Sequence, residues 1–97
     1  MLVHFHRLAA RELRTAHAWY RERDVDTAAR FLVGVRAAVE RIEQDPDSLP
    51  FERRHYRRIR VRRFPYRLIF ERDRPDSILV IAVAHARRRP GYWSRRK

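Results

Sequence analysis

The residues best equipped for chemistry lie in the second half of the chain. Arg58, Arg60 and Arg62 alternate with Ile59 and Val61, Arg67 follows in "YRLIFER", and His85 ends an apolar run just before Arg87, Arg88 and Arg89. Guanidinium groups donate paired hydrogen bonds to phosphate or carboxylate oxygens, so a row of them binds anions. They stay protonated at physiological pH, which leaves His85 as the acid-base group of the set. Beyond the Pro90-Gly91 turn, Tyr92 and Trp93 are aromatics of the kind that stack on bases. Each residue also has a plainer reading: arginines on a solvated strand face, a histidine that only hydrogen-bonds at a strand end, and an aromatic lid over apolar residues. His4 and His6 share one face of "HFH", but two imidazoles without neighbouring cysteine or carboxylate make a weak metal site. No metal and no cofactor is expected.

The charge is lopsided. The 97 residues carry a formal net charge of +12, yet residues 1–52 hold 8 basic and 9 acidic groups while residues 53–97 hold 16 and 3. A polycationic half attracts nucleic acid, an acidic protein segment or an anionic surface. Cysteine is absent, which excludes disulfides and thiolate metal sites. No apolar stretch reaches the ~18 residues of a membrane span, and the first residues lack the order of a secretory signal, so a cytoplasmic protein is expected. The length suits one domain, residues 1–97.

These side chains need elements to position them. "LVHFH" alternates as a short strand. Ala9, Leu13, Ala16 and Tyr20 then fall on one helical face, and Val25, Ala28, Leu32, Val35, Val39 and Ile42 on another, with Asp24 or Asp26 as cap and Asp45-Pro46 as stop. After the loop "DPDSLP", period-two alternation in "YRRIRVRRF" and "YRLIFER" and the apolar "SILVIAVAH" predict strands. The order is strand, two-helix hairpin, three-stranded antiparallel meander: an α+β fold with both helices on one sheet face. The helices are expected to cover Ile59, Val61, Tyr66, Leu68, Phe70, Ala82 and Ala84. Arg58, Arg60, Arg62, Arg67 and His85 would share the other face, above a floor of Leu79, Ile81 and Val83.

The stretches "ELRTAHAWY", "FLVGVRAAVERIEQDPDSLP", "RIRVRRFPYRLIFE" and "ILVIAVAHARRRPGYW" resemble the RelE/ParE superfamily of bacterial type II toxin-antitoxin toxins over nearly the whole chain. The most specific parts, "FPYRLIF" and "AVAHARRRPGYW", are similar to the ParE-like branch. The resemblance implies a compact α+β toxin with roles in growth inhibition and plasmid stabilisation. It also implies a cognate acidic antitoxin that folds onto the toxin in a hetero-oligomer. The ParE-like branch implies DNA gyrase as target, without nuclease chemistry. The RelE-like branch implies a ribosome-dependent mRNA endoribonuclease. On the RelE pattern Arg58 and Arg60 stand for two strand lysines, Arg67 for the meander arginine and Tyr92 for the C-terminal tyrosine. The strand-end arginine falls on Ala86, and His85 would supply the acid. In either branch Arg62, Arg87, Arg88, Arg89, Tyr92 and Trp93 form the surface for target or antitoxin. Charge alone gives a third reading, a general nucleic-acid-binding module.

Overall fold

The computed structural model describes residues 1–96. Strand β1 (Leu2–Phe5) leads into helix α1 (Arg7–Arg23), and α2 (Val25–Gln44) follows after the single residue Asp24. The Asp24 N–H closes α1 on the Tyr20 carbonyl, and its carboxylate accepts the Thr27 hydroxyl at 2.6 Å in the first turn of α2. Of the two acids expected to cap α2, Asp24 takes the N-cap position, with its carboxylate bonded to the Thr27 side chain. A short 3-10 turn, Pro46–Ser48, separates α2 from β2 (Phe51–Arg53), β3 (Tyr56–Arg60), β4 (Tyr66–Arg74) and β5 (Ser77–His85). The sheet order is β1-β5-β4-β3-β2, antiparallel throughout the meander, with β1 parallel to β5. The meander therefore has a fourth strand. β2 is only three residues long and follows Pro50, too brief for an alternation pattern to reveal.

Both helices pack on one sheet face, as the sequence predicts, but two faces differ in detail. In α2 the buried stripe is Ala28, Phe31, Val35, Ala38 and Ile42, whereas Val25 and Leu32 are exposed. Phe31 decides this, because its ring meets Tyr20, Phe64 and Tyr66 at centroid distances of 5.2, 5.3 and 5.4 Å. An aromatic ring buries more area than the aliphatic side chains competing for the same position.

In β5 the alternation breaks. Leu68 pairs with Val83, Ile69 with Ala82 and Phe70 with Val80, so Ile81 is skipped as a β-bulge. The extra residue shifts the phase of the strand. Ile78, Val80 and Val83 join the helix-side core, while Ile81, Ala82 and Ala84 join a second cluster on the opposite face. The expected places of Ala82, Ala84 and Val83 are thus reversed; Leu79 and Ile81 lie where predicted.

Strand β3 also ends earlier than its pattern. The Val61 N–H donates to the Tyr66 carbonyl at 2.9 Å, the Phe64 N–H donates to the Val61 carbonyl at 3.1 Å, and Arg63 has φ 72°. Arg62 therefore sits in an exposed turn instead of in the strand row with Arg58 and Arg60.

A divided candidate functional site

The face away from the helices gathers Arg58, Arg60 and Arg67 around one carboxylate. Arg67 donates to Glu52 through Nε at 3.1 Å and through a terminal nitrogen at 2.8 Å, a bidentate pair with both side chains largely covered. Arg58 donates to the Phe51 carbonyl and lies 3.9 Å from Glu52. Hydrogen bonding by Arg67, together with the nearby positive charges, holds the Glu52 carboxyl below the usual carboxylate range against the opposing effect of burial. Arg60 remains exposed. The guanidinium best placed for catalysis is already neutralised.

His85 is elsewhere. It pairs with Tyr66 across the β4–β5 ladder, so its ring lies on the helix side, edge to face with Tyr66 at 5.0 Å. Its Nδ1 accepts the Arg87 N–H at 3.0 Å. The expectation that His85 shares a face with Arg58, Arg60 and Arg67 is corrected: the bulge sets the phase of the whole strand end. His4 and His6 have different partners, His4 Nε2 lying 2.9 Å from Asp73 and His6 Nδ1 accepting the Leu8 N–H at the start of α1.

The tail after β5 folds back. Because β1 stops at Phe5, the β5 edge beyond Val80 has no partner strand, and side chains take its place. Glu12 on α1 accepts the Val83 N–H at 2.9 Å, the Tyr92 hydroxyl at 2.7 Å and two Arg96 nitrogens at 2.9 and 2.8 Å. Arg96 also donates to the Ile81 carbonyl at 3.1 Å. Burial raises the Glu12 pKa, but the bonds from Arg96, Tyr92 and Val83 outweigh it and the net shift is downward. Burial and then the bond to Glu12 push the Tyr92 phenol well above its ordinary value.

Trp93 lies fully buried against Tyr56 at 4.8 Å, within the cluster of Ile69, Ile81, Ala82 and Ala84. This corrects its assignment as a contact surface: an indole at 0% exposure touches no target. It is the lid that the sequence allowed for. Gly91 makes the turn with φ 75°, and a Cβ there would lie 2.2 Å from a guanidinium nitrogen of Arg53. Gly91→Ala is therefore expected to destabilise the fold by about 1 kcal/mol, read as a lower denaturant midpoint.

Residues 3–90 match the family described as the ParE toxin of the type II toxin-antitoxin system, parDE. The chain belongs to that family. No curated protein matches it. ParE-family membership implies an antitoxin partner, and among the described residues no helix is long and apolar enough to cross a membrane.

In this ParE-family toxin the residues mapped from the RelE pattern do not form one site. Arg58, Arg60 and Arg67 line a cleft of about 200 Å³ together with Ala86, whose methyl occupies the place implied for a catalytic arginine. His85 is on the other face, and Tyr92 is held by Glu12. Arg62, Arg87, Arg88 and Arg89 are exposed, as a contact surface requires.

Glu12, Glu52 and Arg96 were not singled out in the sequence. Glu52 had a signal: it is the sole acid between Asp47 and Glu71, inside an arginine-rich run. Glu12 had a weaker one, an acid between Ala9 and Ala16 beside the apolar stripe of α1.

Proposed function

We propose that this toxin arrests growth in the cytoplasm by poisoning DNA gyrase, and that a cognate acidic antitoxin neutralises it in a hetero-oligomer. The observation that carries the reading is the Arg67–Glu52 pair, which removes the charge an RNA-cleaving site would direct at its transition state. Ala86 in the same cleft and His85 outside it point the same way. Poisoning by binding needs exposed charge and shape, and the rim of Arg60, Arg62 and Arg63 with Arg87 to Arg89 supplies them. The antitoxin's acidic segment has a suitable seat beside α1, a cleft of about 460 Å³ with Leu8, Ala16, Tyr66 and Val83 in its lining and Arg11 and Arg88 at its wall.

The test is purified toxin in parallel assays of gyrase supercoiling and of mRNA integrity during translation. Inhibited supercoiling with intact mRNA is expected; ribosome-dependent cleavage without effect on gyrase would overturn the reading in favour of the RelE-like endoribonuclease. Two substitutions sharpen it. His85→Gln is expected to leave growth inhibition within about twofold at matched protein level, whereas a general acid would contribute a hundredfold or more. Arg60→Ala, Arg62→Ala and Arg63→Ala together are expected to weaken inhibition roughly tenfold, equivalent to about 1.4 kcal/mol of target affinity. This triple replaces the more obvious Arg58, Arg60 and Arg67, because losing Arg67 strands Glu52 and losing Arg58 frees β2.

A further inference from the structure

A second basic groove, distinct from the Arg58–Arg67 cleft, runs between the start of α1 and the folded tail. Arg7 and Leu8 stand on one side and Arg88, Arg89, Arg95 and Arg96 on the other, around a volume of about 510 Å³. Among the described residues no carboxylate lines it, and α1 has no acid in its first turn. Arg96 is spent on Glu12. Arg7, Arg88, Arg89 and Arg95 are exposed and make no ion pair among the described residues. The clamp holds them there: Glu12 fixes Tyr92 and Arg96, and the tail between β5 and Arg96 is pinned at both ends.

We propose that this groove seats the phosphodiester backbone of a nucleic-acid duplex, giving the toxin a direct, sequence-independent contact with DNA beyond its binding of gyrase or antitoxin. Four guanidiniums lining one groove, with no carboxylate among its described residues, match a path of phosphates, each able to accept a bidentate pair. The occupant is not a single strand read by stacking. Of the two rings in the described lining, His6 is held at the start of α1 by the Leu8 N–H, and Tyr92 has the Arg88 guanidinium 3.9 Å and the Arg96 guanidinium 5.1 Å from its ring centroid, so stacking cations already occupy the phenol. An acidic peptide is also disfavoured. A segment that folds on binding needs apolar anchors, and among the described residues Leu8 is the sole aliphatic one in this lining.

The experiment is fluorescence anisotropy of the full chain with a labelled duplex of about 20 base pairs, titrated with salt in the absence of gyrase. Four phosphate contacts give a slope of log K against log salt of about −3.5. Arg7→Gln, Arg89→Gln and Arg95→Gln together are expected to bring the slope to about −1. A charge-matched control, Arg21→Gln, Arg36→Gln and Arg74→Gln, removes exposed arginines outside the groove and is expected to keep most of the slope. Equal losses in the two triples would show diffuse attraction by net charge and overturn the proposal. So would the absence of duplex binding, or a poly-glutamate peptide that binds the groove more tightly than the duplex does. Since gyrase is absent, a toxin that binds duplex yet fails to inhibit supercoiling refutes the gyrase reading alone.

Discussion

Trp93→Ala is expected to destabilise the toxin by about 4 kcal/mol, the scale of emptying a fully buried indole. Trp93 is the largest wholly buried side chain and it packs where the two alanines of β5 leave room beneath the tail. A domain of this size commonly has only about 5–15 kcal/mol in total, so the variant is expected to be partly unfolded at growth temperature. Denaturant titration followed by circular dichroism measures the loss. Trp93→Phe provides the informative contrast. The indole N–H has no hydrogen-bond partner among the described residues, and phenylalanine removes that orphaned donor along with some volume. A cost of about 1 kcal/mol or less is expected for it. If Trp93→Ala were as mild as Trp93→Phe, the tail would not be part of the core. Deleting Arg87 through Lys97 is for the same reason no clean probe of a binding surface, because it takes Trp93 with it.

Glu12→Ala is expected to cost about 3 kcal/mol. The substitution leaves Arg96 largely covered without a counter-ion and strips the Val83 N–H and Tyr92 hydroxyl of their acceptor. Its signature is the pH dependence. Glu12 has a folded-state pKa below that of an ordinary glutamate, so its contribution is present above the unfolded value and disappears as pH falls through the folded one. Wild-type stability is therefore expected to fall on acidification through and below the ordinary carboxylate range, and the Glu12→Ala chain to fall less over the same window. Parallel denaturation curves at neutral and acid pH decide it; an unchanged acid slope in the variant would show that Glu12 is not held ionised by its partners.

The parts of the fold legible in the sequence are those controlled by neighbours in the chain. Alternation in Ile59, Leu68 and Phe70 and the helical spacing of Ala9, Leu13, Ala16 and Tyr20 gave the right partners and the right layer. What was illegible depends on registry between distant segments. The uniformly apolar "SILVIAVAH" has no alternation to mark the skipped Ile81, so one extra residue moved His85 to the other side of the sheet unseen. In α2, Leu32 and Phe31 offered overlapping stripes, and only the aromatic neighbours from α1 and the β3–β4 turn select between them. The pairings that decide the site, Glu52 with Arg67 and Glu12 with Arg96, join residues 15 and 84 positions apart. No local pattern encodes such distances. The arginine rows were visible as charge, but which of them were already spent was not.

The bond between Glu12 and Arg96 spans almost the entire chain, and the parallel pairing of β1 with β5 is nearly as long in sequence. Contacts of such separation form late, after the loop between them has been closed. Until that closure Glu12 lacks its guanidinium partner, and the groove between α1 and the tail is not formed. The two ends of the described chain are thereby coupled: a change at Glu12 in the first helix is felt in the shape of the groove that the tail lines, and a change at Arg96 is felt at the helix.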